Sequence, residues 1–265
     1  MQQVSETYRR LMSGRHWFET SLVIGESGRL LTNIGDVLLF GGDAILVDTG
    51  GADSGFGETQ LMSVSTSHSL FTAEPSIGNC YSGEIDVEML MPTADVPRMA
   101  RLVPYVRVTD GTEYSEWLKK GVFFVDTRDT THNDDGLDIL TLHGYDAMLM
   151  AEADYPSDTS TYPMTDINVV RKIASAMGIS VDSRTVADMN KGYRINLPTG
   201  YSMRETLGYI ASMYAGNFII NDNGDLRLIG LTSIPIETQY LIDNAGYAIT
   251  FGQSPNEVVR ILVNR

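Results

Sequence analysis

A chain of 265 residues with 34 acidic and 19 basic side chains, a formal charge of −15 and 43% hydrophobic residues has the composition of a globular protein holding one large domain or two ordinary ones. That charge argues against a general duplex-binding surface, which needs clustered Lys and Arg to displace counterions from phosphates. Cys80 stands alone, so no internal disulfide framework exists and a reducing cytosol is the natural place of synthesis; residues 1–14 hold no signal-peptide core, and no apolar run reaches the length of a membrane span.

In chain order, Val4, Tyr8 and Leu11 recur at helical spacing before Gly14, which predicts a short amphipathic helix docked on a neighbour. Residues 16–24 alternate as a strand. Short strands follow at 30–31, 37–40 and 44–47, separated by glycine-rich turns at 25–28, 41–42 and 50–51. The glycine-rich stretch 50–57 lacks the lysine of a phosphate-binding loop and has no helix after it, so it reads as a flexible loop. Residues 61–70 and 83–91 give two more strands. In the second, Ile85, Val87 and Met89 alternate with Glu84, Asp86 and Glu88, the pattern of a strand with one wet face. Turn residues at such short intervals indicate an all-β barrel or sandwich rather than a βαβ array.

The stretch from 100 to 152 carries the longest run of signals. Strands are predicted at 102–109, 122–126 and 138–143, with a polar link over 127–137 that is too long for a tight hairpin turn. After Gly144 a run of helix formers, 147–151, predicts a short helix closing the sheet. Beyond a Ser/Thr/Asp linker at 157–161, Thr165-Asp166 opens a helix with Ile167, Val170, Ile173, Ala174 and Met177 on one face. Ser202 and Glu205 have the spacing of a capping box at the start of a second helix. An Asn-Gly pair, Asn223-Gly224, between the apolar runs 217–220 and 226–231 predicts a hairpin, so 165–231 forms a small α/β unit. Strand character returns at 247–251 and 258–263.

The order of Ile77-Gly78-Asn79, Gly83-Glu84-Ile85-Asp86-Val87, Val96-Pro97-Arg98-Met99-Ala100, Trp117-Leu118, Gly121-Val122-Phe123-Phe124-Val125 and Leu140-Thr141-Leu142-His143-Gly144-Tyr145-Asp146 resembles the tail-hub proteins of bacteriophages and prophages, including baseplate hubs and the N-terminal hub region of tail-associated lysins. The resemblance lies in the order of these motifs over roughly two hundred residues rather than in any one of them. It implies an α+β, mainly β fold: a tail-tube-like β-barrel with an inserted small α/β domain. The expected division is 1–14 as an N-terminal arm, 15–156 as the barrel hub domain, 157–235 as the small α/β domain, and 236–265 as strands returning toward a second barrel. Such hubs usually continue past the position of Arg265, which puts that second barrel in doubt.

Candidate chemistry is sparse. His16, His68, His132 and His143 are scattered with no zinc-binding spacing. The calcium-loop pattern places acids five, three and one residue before its glycine. Before Gly136 those positions hold Thr131, Asn133 and Asp135; before Gly224 they hold Ile219, Asn221 and Asn223, so both read as solvated loops. No GxSxG elbow is present, and Glu84, Asp86 and Glu88 read as an exposed strand face rather than a glycosidase pair. Trp117 and the thirteen tyrosines suit a core or protein interface better than a sugar platform. The expectation is therefore no catalytic residue, no cofactor and no metal, with Trp117, Phe123, Phe124 and Tyr145 as barrel-core anchors. The resemblance implies a homotrimeric ring at the virion tail tip or baseplate, assembled in the bacterial cytoplasm. Its partners would be tail tube, distal tail and tape measure proteins and a tip fibre or lysin, with DNA passing unbound. The alternatives are a host-receptor or carbohydrate-binding tail module, or the hub part of a cell-wall-degrading lysin.

Overall fold

The computed structural model describes residues 4–25, 39–40, 43–44, 55–71, 74–93, 95–132, 136–157, 159–231, 237–240 and 260–263. The chain divides into two units, 1–229 and 230–265. The elements of the first are α1 (Glu6–Met12), β1 (Trp17–Gly25), β2 (Leu39–Phe40), β3 (Asp43–Ala44), β4 (Leu61–Ser67), β5 (Glu84–Leu90), β6 (Arg101–Thr109), β7 (Leu118–Lys119), β8 (Phe123–His132), β9 (Asp138–Asp146), a 3-10 helix (Ala147–Glu152), β10 (Met164–Thr165), α2 (Asp166–Ala176), α3 (Ser183–Asp188), β11 (Arg194–Ile195), α4 (Met203–Met213), β12 (Gly216–Ile220) and β13 (Leu226–Gly230). Of the second unit, β14 (Glu237–Tyr240) and β15 (Arg260–Val263) are described; they pair antiparallel, Glu237 opposite Val263 and Tyr240 opposite Arg260. The sequence-predicted strands at 30–31 and 247–251, and most of those at 37–40 and 44–47, lie outside the described residues.

The protein is mainly β, organised on an antiparallel seven-stranded sheet in the order β1-β6-β8-β9-β5-β4, with β7 on β6. β6 pairs with β1 along its whole length but reaches β8 only at Arg101–Phe124 and Leu102–Phe123. Its remaining free edge takes β7 at Tyr105 and Val106. No ladder joins β4 to β1 among the described residues. Phe56, just ahead of β4, nevertheless exchanges two 2.8 Å backbone hydrogen bonds with Leu22 of β1, so the sheet curls until its two ends touch at one bridge.

The alternation of β5 comes out as the sequence requires, with Ile85, Val87 and Met89 buried and Glu84, Asp86 and Glu88 exposed. Leu22, Leu102, Phe123, Val125, Leu140 and Leu142 complete that inner core. α1 packs on its own chain: Leu11 is buried, Ser5 N donates to Glu116 Oε1 (2.6 Å), and Arg10 pairs with Glu113 (2.5 Å). One expectation needs correcting. The polar link 127–137 is largely strand. β8 runs on to His132 opposite Asp138, past a bulge between Val125 and Thr127. Thr127, Thr130 and Thr131 are β-branched, and an exposed strand satisfies its backbone on β9 without apolar side chains.

A second core lies among α2, α4, the 3-10 helix and the β12–β13 hairpin, holding Met148, Val169, Val170, Ile173, Leu207, Ile210, Phe218 and Leu226. Ser202 caps α4 by accepting from Glu205 N, while Glu205 accepts from Ser202 N, the predicted capping box. The Asn-Gly hairpin also forms. Asn221 Oδ1 accepts from the amides of Asn223 and Asp225, and Gly224 takes the positive φ that the turn demands (93°). Parallel bridges at Cys80–Phe218 and Val181–Leu226 widen this hairpin into a small mixed sheet. Sequence periodicity gave no sign of α3, whose six residues are too few to display a period.

Candidate functional site

A polar network joins the large sheet to the helical module, and its scaffold is the strap 76–83 that leads into β5. Gly78 N donates to Gly216 O (2.9 Å), and Asn79 O accepts from Phe218 N (2.9 Å), so the strap runs as an extra strand beside β12. Asn217, fully buried, accepts from Asn79 N (3.0 Å) and donates to the carbonyls of Leu70 (3.0 Å) and Ser76 (2.8 Å). Such a side chain is tolerated in a core only because its polar atoms are paired. Gly78 adopts φ 81°, and a Cβ on it would lie 2.0 Å from Ser212 Oγ; a Cβ on Gly208 would lie 2.7 Å from Gly78 O. Strap and α4 therefore meet backbone to backbone.

At the other end of the strap, Asp146 closes β9 and caps the 3-10 helix. Its Oδ2 accepts from Gly83 N (2.6 Å) and its Oδ1 from Met148 N (2.9 Å). Burial pushes this carboxyl up to about 7, against the pull of those two amides and of Arg204. Arg204, on α4, donates to Cys80 O, Ser82 Oγ and Met148 O, each at 3.0 Å. Its Nε lies 2.8 Å from Glu152 Oε1 as a charge contact rather than a directed hydrogen bond. Burial pushes the Cys80 thiol up to about 12, so it remains protonated and inert as a nucleophile.

The four proposed anchors separate. Phe123 is fully buried in the sheet core. Phe124, its neighbour on the strand, faces the other way and packs on the module core. Tyr145 is half-buried, edge-on to His143 at 4.9 Å, and Trp117 is half-buried beneath Arg107, whose guanidinium lies 4.3 Å from the rings of both Trp117 and Tyr114. Arg107 in turn pairs with Glu19 at 2.6 Å. Trp117 and Tyr145 are therefore not core anchors. Their polar edges and a nearby cation or imidazole hold them at the surface. Glu84, Asp86 and Glu88 lie on the exposed face, with Asp86 2.8 Å from His143 Nδ1. Among the described residues no group of three or more His, Cys, Asp or Glu could hold a metal ion, and no helix is long and apolar enough to cross a membrane. Sequence reasoning missed Asn217, Arg204 and Asp146, because their partners lie far away along the chain.

No protein-family model matches the sequence, and no curated protein matches it. Solved structures that match the chain include three. The 43 kDa tail protein of prophage MuSo2 from Shewanella oneidensis is 15% identical, aligns over 83% of this chain and 57% of its own, and gives a TM-score of 0.48. The tail protein from Neisseria meningitidis MC58 is 12% identical over 91% of this chain and 58% of its own, with a TM-score of 0.44. A chain of the Francisella PdpA-VgrG complex is 7% identical over 81% of this chain and 31% of its own, with a TM-score of 0.41. The chain thus spans somewhat more than half the length of each of the two tail proteins.

Proposed function

We propose that this chain is a structural component of a phage or prophage tail, acting as a hub or tail-tip ring. The observation that carries the reading is where the hub-like motifs fall. Ile77-Gly78-Asn79 is the strap on β12 and α4, Gly83 to Val87 opens β5, Gly121 to Val125 holds the two phenylalanines that face the two cores, and Leu140 to Asp146 ends in the carboxyl that caps the joint. Motifs scattered over the sequence thus fall on the antiparallel sheet, on the helical module and on the joint between them, which supports the reading.

In this reading the curled sheet is the barrel wall, and three copies close a ring through head-to-tail contacts. The ring joins tail tube and distal tail protein on one side to a fibre or lysin on the other, and opens for the tape measure and DNA. Its work is assembly and gated opening by interface energy, without covalent chemistry. An excess of fifteen negative charges repels DNA from the wall and lets it slide. The test is light scattering coupled to size exclusion over a range of concentrations, with negative-stain imaging and addition of hub-deficient tails. A trimer with a central hole that joins such tails is the expected result. A chain that stays monomeric and fails to join them overturns the reading.

One observation favours a receptor- or carbohydrate-binding module instead: Tyr201, just ahead of α4, and Tyr209, on α4, are 43% and 60% exposed and stand edge to face at 5.4 Å. That reading predicts binding to host cells without other tail components, lost in Tyr209→Ala.

A further inference from the structure

The start of β1 and the turn that follows β6 place three aromatic rings and an ion pair on one face of the sheet. Trp17 stands opposite Thr109 and Glu19 opposite Arg107, while Thr109 is bridged on its other side to Tyr114. Residues that oppose one another, or lie two apart on a strand, share a face, so Trp17, Glu19, Arg107, Thr109 and Tyr114 stand together. Trp117 joins them through Arg107, whose guanidinium lies 4.3 Å from its ring and from that of Tyr114. With Thr109 between them, the backbones of Trp17 and Tyr114 are about 10 Å apart.

These rings are held in place by the chain itself. The Trp17 indole lies against Gly111, where φ is 92° and a Cβ would come within 2.9 Å of the ring. Asp110 Oδ1 fixes the turn beneath by accepting from the amides of Thr112 and Glu113, each at 2.9 Å. Thr109 Oγ1 accepts from Gly111 N (3.0 Å) and donates to Glu113 O (2.7 Å). Arg107 Nε donates to Glu19 Oε2 (2.8 Å), and both side chains of that pair are mostly covered. Trp17 and Tyr114 are nevertheless 45% and 48% exposed. A surface of rings already fixed in position loses little conformational entropy when a ligand covers it.

We propose that this face is a binding platform for a neutral glycan, with Trp17 and Tyr114 as the stacking rings and the Arg107–Glu19 pair as the polar contact. The C–H face of a pyranose is apolar and stacks on an aromatic ring, while its hydroxyls take up the donors of a guanidinium and the acceptors of a carboxylate. Charge selects against anionic ligands. Arg107 and Arg10 are each paired with a glutamate, and Asp110 adds a further acid, so the phosphates of a nucleic acid gain little here. Area selects against a protein. The exposed parts of the three rings amount to roughly 300 Å², whereas a stable protein interface hides about 800 Å² per partner, more than half of it apolar. The platform lies on the sheet, whereas Tyr201 and Tyr209 belong to the helical module, and it does not depend on how the chain assembles.

Both tryptophans of the chain belong to this face, so intrinsic fluorescence reads it directly. The intact chain is titrated with neutral oligosaccharides of glucose, mannose, xylose and N-acetylglucosamine, and with an oligothymidylate. A saturable change with at least one of the sugars, and none with the oligothymidylate, is the expected result. Trp17→Ala and Tyr114→Ala are each expected to weaken that binding by about tenfold or more, and Trp17→Phe and Tyr114→Phe to retain most of it. If an alanine variant does not fold, acrylamide quenching of the unmodified chain decides the matter, since a bound glycan is expected to shield the indoles and unchanged quenching overturns the platform. Silence with every sugar into the millimolar range overturns it, as does binding of the oligothymidylate alone. Fluorescence that shifts with protein concentration in the absence of sugar would put a second copy on this face and overturn it. Sugar binding lost in Tyr209→Ala but kept in Trp17→Ala would place the site on α4 instead.

Discussion

Phe123 and Phe124 show how much a single residue's environment depends on strand parity. Both are apolar and adjacent, yet one is enclosed in the sheet core and the other rests on the module core. Phe123→Ala is expected to cost about 3–5 kcal/mol, because it removes a fully buried ring and leaves a cavity. Tyr145→Ala is expected to cost less than about half as much, since its ring lies outside both cores and part of its surface is already in water. Urea unfolding of the two variants checks the ranking. The buried identity of Phe123 was legible from its apolar run beginning at Gly121. The position of Trp117 was not, because nothing in its local sequence announces Arg107, which reaches it from another strand. Asp146 likewise fell between the predicted strand 138–143 and the predicted helix 147–151, and only the fold brings Gly83 to it.

Among the elements, α4 and the Asn-Gly hairpin were the most legible, since capping boxes and tight turns are written in three or four consecutive residues. The outer half of β8 was the least. Its run of Thr, Arg, Asp and His satisfies every rule for a loop, and what makes it a strand is the ladder to β9, from Thr127 opposite His143 to His132 opposite Asp138. The strap is a third case, in which a glycine mattered more than its neighbours. Gly78→Ala is expected to destabilise by more than about 1 kcal/mol, because the residue combines positive φ with a 2.0 Å approach to Ser212 Oγ. Adding Ser212→Gly should relieve the clash and leave the backbone strain. A thermal-melt cycle of the single and double variants measures the two parts, and an additive result would rule out direct contact.

At the scale of the molecule, residues 1–229 contain two hydrophobic cores joined through buried hydrogen bonds rather than through a flexible linker. Both tryptophans, Trp17 and Trp117, belong to the sheet side, while the helical module holds none. Tryptophan fluorescence therefore reports on the sheet alone, and far-ultraviolet circular dichroism on the whole. Coincident urea transitions by the two probes are expected; a fluorescence transition well separated from that of the helices would mean that the joint is weaker than its bonding suggests. Pairings such as β1 with β6, separated by some eighty positions, also place folding on the slow side for a domain of this size.

The neighbouring rings of β8 carry one further consequence. Because Phe123 and Phe124 serve different interiors, a single residue gained or lost between Gly121 and the start of β8 leaves their order intact but turns both rings to the wrong sides at once. Two cores would then fail together from one change in length. This short stretch can accept exchanges of side chain, yet it is closed to insertion and deletion, and its spacing acts as the common ruler by which the two halves of the molecule are cut.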